Sequence, residues 1–263
     1  MVLVHVVSII IFTVVESIIG IELEFLMVAT YHVLSIYIVV RTLRRNDVSM
    51  LQVTGTFSLR NEPWLLLFGF VIVMKLASYF SQSIGVQIAS VFNSGIYERL
   101  YADYLDGAVV VNINLIMMRV LSFTLGPIFE ELLFRGYLLN KWSAKYGVGK
   151  AIVLSSMTFS VFHFNSSLYL TYFLVGVFFS LVYVKTKKLI VPIILHAVSN
   201  LISTVTIFTA KQNFSSAAEL QHSINIESII YIILLPIVCF MLYQYYRGIK
   251  KVSPYDANRQ LEA

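Results

Sequence analysis

Apolar positions in this chain gather into long runs separated by short polar segments, instead of alternating at the periods of soluble helices or strands. A helix that crosses a bilayer needs about 20 mainly apolar residues. Each run is therefore predicted to be a membrane helix, and the chain to be an all-α, polytopic helical bundle with about eight transmembrane helices. A short surface helix is expected near 96–104. The apolar runs are 2–21, 25–40, 64–80, 108–129, 151–164, 168–184, 189–209 and 229–246.

The composition leaves little material for a soluble domain. Of 263 residues, 58% are hydrophobic and 13% are charged, and the mean hydropathy is +0.81. Ordinary soluble domains carry about 25% charged residues. No glycine-rich phosphate loop is visible, so a separate nucleotide-binding or nucleic-acid-binding module is excluded. The single cysteine, Cys239, excludes an internal disulfide and a cysteine-rich metal site.

The basic residues predict the orientation in the membrane. Most of the 19 Lys and Arg residues fall in 41–60, 141–150, 185–188 and 247–259, which share one side if both termini are cytoplasmic. The positive-inside rule therefore predicts an N-in, C-in protein. The short loops and the lack of a eukaryotic targeting signal indicate a bacterial plasma membrane. The polar tail after Lys251 is expected to be disordered.

A small set of polar residues lies inside the apolar runs in the middle of the chain. Each ionisable group near the centre of a membrane helix costs about 2.5 to 3.5 kcal/mol on insertion scales and calls for an explanation. Counted at about 1.5 Å per residue from the basic segments, these groups lie about 12 to 20 Å deep. They can therefore meet in one layer on the cytoplasmic half of the hydrocarbon core. The residues are Glu130, Glu131, Arg135, His163, His196 and Asn200.

Helical spacing relates several of these side chains to one another. His196 and Asn200 are four residues apart and share a face. Glu131 and Arg135 are also four apart, in the order that favours an ion pair. Glu130 lies about 100° around the helix from Glu131 and is free for another task. One carboxylate is thus expected to be structural and the other chemical.

Together these side chains suit the hydrolysis of an amide bond. A desolvated carboxylate is a stronger base toward water than an exposed one, and a neighbouring imidazole can relay the proton. A second imidazole and an amide N–H on one helix face can bind the oxygen that becomes negative when water attacks a carbonyl.

These polar residues form three short motifs. In this order and on three predicted membrane helices, the motifs resemble those of the CPBP family of CAAX proteases and bacteriocin-processing or immunity proteins, also called Abi. The resemblance covers about 127–200; the first 105 and last 55 residues are not diagnostic. It is carried by Glu-Glu-x-x-x-Arg at Glu130, Glu131 and Arg135, Phe-x-x-x-His at Phe159 and His163, and His-x-x-x-Asn at His196 and Asn200.

The resemblance implies an intramembrane endopeptidase, with Glu130 and His163 activating water and His196 with Asn200 stabilising the oxyanion. Glu131 and Arg135 would hold the site together, and Phe159 is expected to pack. It also implies a division into N-terminal helices and an outer loop (1–105), a catalytic core (106–210) and a last helix with a cytoplasmic tail (211–263).

No cofactor is expected, with a zinc ion bound by Glu130, His163 and His196 as the alternative. The expected partners are a peptide or membrane-protein substrate and the lipid bilayer, without nucleic acid. Two other functions stay open: a non-catalytic immunity or regulatory protein on the same scaffold, and an ion-coupled transporter. Lys75 and Arg119 are expected to be interfacial or interhelical residues. Arg119 is also a weaker functional candidate, on the outer half of the Glu130 helix.

Overall fold

The computed structural model describes Ile18 and residues 24–106, 112–163, 168–209, 214–249 and 252–261, and this part of the chain is helical without a β-strand. The predicted all-α membrane bundle is confirmed. Its helices are α1 (Glu24–Arg45), α2 (Met50–Thr54), α3 (Trp64–Phe92), α4 (Ile96–Asp106), α5 (Ile113–Phe123), α6 (Leu125–Glu131), a π-helical segment (Leu132–Leu139), α7 (Asn140–Tyr146), α8 (Val148–Phe162), α9 (Tyr169–Thr186), α10 (Ile190–Thr209), α11 (Ala217–Arg247), α12 (Pro254–Asn258) and a 3₁₀ turn (Arg259–Leu261).

Seven of the predicted runs have a helical counterpart in the described residues. Five helical stretches are long and apolar enough to cross a membrane, namely α1, α3, the continuous run 113–146, α9 and α11. Helices α8 and α10 are apolar but shorter. The run 2–21 lies outside the described residues, so the total of about eight stays a prediction, as does the division into three domains. The predicted surface helix is confirmed as α4.

Helices α3 and α11 are longer than predicted: α3 extends to Phe92 instead of 80, and α11 begins at Ala217 instead of 229. With 29 and 31 residues, each is about 45 Å long at 1.5 Å per residue and exceeds the hydrocarbon core of about 30 Å. Their polar ends read as loops in the sequence. The two helices pack against each other along their length, with α4 beside them at the same end.

Polar pairs between α3 and α11 explain this extension. Ser83 donates a hydrogen bond to the Glu227 carboxylate, and Gln87 bonds to Asn225. In each pair, the two side chains satisfy each other's hydrogen-bonding groups. Polar residues that the sequence placed in loops therefore continue the helices. Hydrophobic periodicity carries no information about such long-range pairing.

The run 113–146 carries both glutamates at its centre. Helix α5 ends at Phe123, and Thr124 breaks the helix with φ −112° and ψ −86°. Helix α6 then restarts with Pro127 in its first turn. The predicted run ended at 129, but helical structure continues to Tyr146. Glu130 and Glu131 therefore lie midway along the helical stretch 113–146, beyond its break at Thr124.

The π-helical segment follows directly, and neighbouring helices hold it through its backbone. A π-helix is rare and is frequently found at functional sites. Here three successive carbonyl groups accept hydrogen bonds from side chains, which anchors the segment from outside its own helix. Phe134 O accepts from Ser155 Oγ (2.8 Å), Arg135 O from Asn140 Nδ2 (2.9 Å), and Gly136 O from Asn140 Nδ2 (3.1 Å) and Tyr255 Oη (2.7 Å).

The expectation of a disordered tail is wrong for 252–261. Asn258 is buried and donates from Nδ2 to Gln52 O at 3.1 Å and Lys187 O at 2.9 Å. Ser253 caps α12 by accepting from the Asp256 amide at 3.1 Å. The tail has few apolar residues, but its polar side chains satisfy backbone groups of three other segments, which composition does not reveal.

These tail contacts gather the basic segments at one end of the bundle, as the charge pattern predicted. The assignment of that end to the cytoplasm stays a prediction. The Lys187 ammonium lies in this cluster, where it donates to Val252 O. Burial lowers the pKa of Lys187 from 10.5 to about 8, against an opposing influence of Asp256.

Candidate active site

Glu131 is the fixed centre of the polar cluster. Its side chain is fully buried, and its Oε1 accepts hydrogen bonds from Arg135 Nη1 at 2.8 Å and from His196 Nδ1 at 2.9 Å. Arg135 is equally buried and donates from Nη2 to Gly176 O on α9 at 3.1 Å. Its guanidinium lies 4.5 Å from the centre of the Phe159 ring. The predicted Glu131–Arg135 pair is therefore confirmed, and it ties three helices together.

Glu130 points to a different place from Glu131. Its Oε2 lies 3.8 Å from Nε2 of His163 and 3.8 Å from Nε2 of His196. These separations are too long for direct hydrogen bonds and fit an oxygen atom bridging the groups. Oε2 is buried and has no hydrogen-bond partner among the described residues. A buried carboxylate oxygen without a partner is costly, so this atom is poised to bind a polar group.

Both imidazole rings are oriented by bonds to their Nδ1 atoms. His163 Nδ1 lies 2.8 Å from Phe159 O, and a carbonyl can only accept, so Nδ1 carries the hydrogen. His196 Nδ1 likewise donates to Glu131 Oε1, which also accepts from Arg135. Each ring therefore directs Nε2 toward Glu130.

Asn200 completes the group of predicted residues. It lines a cavity of about 40 Å³ together with His163 and His196. Its Nδ2 donates to Ser122 O on α5 at 2.7 Å, which fixes the amide. The amide nitrogen carries two hydrogens, so one remains for a ligand in the cavity.

Three residues of α9 belong to the site and were missed from the sequence. The Tyr172 ring stacks on His163 with centroids 4.1 Å apart, and the Phe179 ring stacks on His196 at 4.9 Å. Gly176 lies between them and supplies the carbonyl for Arg135. The spacing of four and three residues puts all three on one helix face. In an apolar helix that pattern is indistinguishable from ordinary packing.

The zinc alternative rests on Glu130, His163 and His196, a donor set that zinc sites use. Across the residues that the structure describes, no three His, Cys, Asp or Glu side chains are grouped as metal ligands. The absence of a cofactor and the zinc alternative therefore both stay predictions.

Comparison with known proteins connects this geometry to a family. Residues 112–202 match the family model described as type II CAAX prenyl endopeptidase Rce1-like. Through this segment, the chain is similar to the CPBP family of membrane proteases. All the predicted site residues fall inside this segment, as do the three residues of α9.

Two curated bacterial proteins resemble this chain. YdiL of Bacillus subtilis, whose name describes a membrane peptidase, is 32% identical over 84 residues, covering 32% of this chain and 34% of YdiL. The membrane-embedded CAAX protease MroQ of Staphylococcus aureus is 28% identical over 144 residues, covering 52% of this chain and 55% of MroQ. The chain thus spans about half, or less, of the curated relatives it matches. No solved structure matches.

The relatives and the apolar helices agree on the cellular setting. Helices that can cross a bilayer and similarity to bacterial membrane proteases identify a multi-pass bacterial membrane protein.

Proposed function

We propose that this protein is an intramembrane endopeptidase that uses a glutamate-activated water to cut a peptide or membrane-associated protein. The observation that carries the proposal is the position of Glu130 Oε2, buried without a partner among the described residues and 3.8 Å from two imidazole nitrogens. An oxygen atom of water placed between these groups would contact a carboxylate base and two imidazole rings at once.

In the proposed reaction, Glu130 removes a proton from this water while the oxygen attacks the scissile carbonyl. His163 receives or relays the proton through Nε2, because its Nδ1 hydrogen is held by Phe159 O. The C–N bond then breaks, and the proton passes to the leaving nitrogen, giving a carboxylic acid and an amine. General base catalysis of this kind contributes about 10² to 10⁴ in rate.

We assign the oxyanion role to His196 and Asn200. His196 can donate from Nε2 only when the ring is doubly protonated, since Nδ1 already donates to Glu131. The hydrogen bond from Nδ1 to Glu131 holds the ring in the orientation that this role needs. The second hydrogen on Asn200 Nδ2 provides another donor in the same cavity. One such donor is worth about 10² to 10³ in rate.

Glu131, Arg135 and Phe159 are proposed to position these groups without touching the substrate. Glu131 orients His196, and Arg135 holds Glu131 while stacking on Phe159. Phe159 also supplies the carbonyl that orients His163. Such support matters because small displacements of catalytic groups cause large losses in rate.

We also propose that the site lies in the cytoplasmic half of the membrane. His196 is six residues beyond Ile190, at the start of α10, and therefore about 9 Å from the basic end of the bundle. Labelling of single cysteines introduced at 144 and 98 with a membrane-impermeant thiol reagent, in the Cys239→Ser background, tests this assignment. Labelling at 98 in intact cells, with labelling at 144 only after permeabilisation, supports it; the reverse pattern overturns it.

Comparative peptidomics of cells carrying wild type or Glu130→Gln tests the activity. We expect an uncut precursor to accumulate in the variant, and also in His163→Ala and His196→Ala. Glu98→Gln, the same isosteric change on the exposed face of α4, is the matched control and should process normally. Membrane levels and thermal unfolding in detergent separate loss of chemistry from loss of folding.

Full processing by all three site variants would overturn the proposed enzymatic activity and favour the immunity or regulatory function. Metal use is tested separately by elemental analysis and chelators. We expect activity to persist in chelator without bound zinc. Stoichiometric zinc with chelator inhibition would instead support ligation by Glu130, His163 and His196.

A further inference from the structure

Two cavities meet beside the cluster of polar residues. The small cavity that contains His163, His196 and Asn200 is also lined by Lys75 and Ser78 of α3. These two residues line a second cavity of about 740 Å³, here called the vestibule, which extends away from the basic end between α3, α4, α10 and α11. Its polar lining includes Lys75, Ser78, Gln82, Ser83, Ser203, Thr206, Ser223 and Glu227. Its volume is in the range of ligand-binding pockets, about 300 to 1,000 Å³.

Lys75 stands at the junction of the two cavities, deep in the membrane. It lies eleven residues beyond Trp64, the first residue of α3, and therefore about 16 Å along the helix. This depth matches the middle of a hydrocarbon core of about 30 Å, which is too deep for the side chain to snorkel to an interface. Of the two positions expected for Lys75, interfacial or interhelical, only the interhelical one fits this depth.

The described residues provide no counter-ion for Lys75. Within the described ranges, its ammonium makes no hydrogen bond and no ion pair. Glu227 also lines the vestibule, but its carboxylate accepts from Ser83 and lies 3.5 Å from Ser223 Oγ. An unpaired cation at this depth is rare and typically marks a binding site or an ion pathway.

We propose that Lys75 is a substrate-binding residue that pairs with a carboxylate of the peptide lying in the vestibule. This inference rests on the proposed peptidase function and extends it to substrate recognition. Lys75 lines the same 40 Å³ cavity as His163 and His196. A bound carboxylate therefore lies within a few residues of the scissile bond, at about 3.3 Å per extended residue. An acidic side chain and a C-terminal carboxylate have the required chemistry.

The vestibule also sets the direction of approach. Its lining residues lie at the end of the bundle opposite the docked tail and the basic segments. The peptide therefore reaches the reacting groups from that opposite end and meets Lys75 immediately before them. Serine, threonine and glutamine side chains along the wall can hydrogen-bond an extended backbone.

The test uses purified full-length protein in detergent and a library of quenched fluorescent peptides. The best-cut peptide is prepared in matched forms, with each Glu or Asp replaced by Gln or Asn, and with a free or amidated C-terminus. We expect one carboxylate to raise kcat/KM by about 10- to 100-fold in wild type, mainly through KM, as a charge-assisted bond requires. The form that loses the advantage identifies whether the carboxylate is a side chain or the terminus.

In Lys75→Met this preference should disappear, and in Lys75→Glu it should reverse toward the neutral form. Lys145→Met, which removes the same charge at the basic end, is the control and should keep the wild-type preference. The inference is overturned if wild type shows no preference for a carboxylate, or if Lys75→Met keeps that preference. Either result leaves the proposed peptidase function intact. If wild type cuts no peptide, or if its cleavage does not depend on Glu130, the proposed peptidase function and this inference are both overturned.

Discussion

Replacing Arg135 with methionine tests the buried polar centre most severely. Methionine keeps a long apolar stem but removes the charge and all the donors. Glu131 would then remain buried with only His196 as a partner. Gly176 O would also lose its hydrogen bond, at 3.1 Å from Nη2 in the native protein.

The expected loss of stability follows from the complete burial of both Arg135 and Glu131. Both side chains are 0% exposed and their charged atoms are 2.8 Å apart. Removing one partner of a buried ion pair costs about 3 to 5 kcal/mol, because the other charge is left uncompensated. We therefore expect Arg135→Met to lower the free energy of unfolding by that amount. The double variant with Glu131→Gln should be less destabilised than Arg135→Met alone, because no bare charge remains.

The assay is equilibrium unfolding of the purified protein in mixed micelles, followed by circular dichroism. Lys188→Met provides the control, since the Lys188–Glu62 pair at 2.7 Å is partly exposed, at 17% and 11%. Because water reaches this pair, breaking it should cost less than breaking the fully buried pair. If Arg135→Met is no more destabilising than Lys188→Met, the reasoning about burial is refuted.

Three further predictions concern the supports of the site. Gly176→Ala would place a Cβ 3.0 Å from the Cα and Cβ of Ser156, so we expect a loss of about 1 to 3 kcal/mol in the same assay; wild-type stability would contradict the tight packing of α8 and α9. Tyr255→Phe removes the bond to Gly136 O and should cost about 0.5 to 1.5 kcal/mol, with faster hydrogen exchange in the tail; unchanged exchange would contradict tail docking. Because burial lowers the pKa of Lys187 to about 8 from 10.5, the unfolded chain binds more protons between these values. Stability should therefore rise with pH across that window, and Lys187→Met should abolish the rise.

Sequence reasoning succeeded where the signal is local. Glu131 and Arg135 are four residues apart on a helix, and that spacing alone predicted the ion pair found at 2.8 Å. The meeting of Glu130 with both histidines needed only the common depth of three polar groups in apolar runs. The catalytic roles of these residues stay proposals that the variants above will decide.

Sequence reasoning failed where the residue that a side chain contacts is distant in the chain. The polar ends of α3 and α11 continue as helices because Ser83 meets Glu227, 144 positions away. The tail is ordered because Asn258 reaches Gln52 and Lys187. Lys75 looked like an isolated interfacial residue, and only the packing of four helices shows the cavities beside it.

The most direct measurement of the central claim is single-turnover cleavage of a defined peptide by purified wild type and Glu130→Gln. Both proteins must first show the same thermal unfolding. Activation of water by Glu130 predicts that the variant is slower by about 10² to 10⁴, with substrate binding nearly unchanged. Cleavage by Glu130→Gln at the wild-type rate would contradict that role for Glu130 and the proposed mechanism with it.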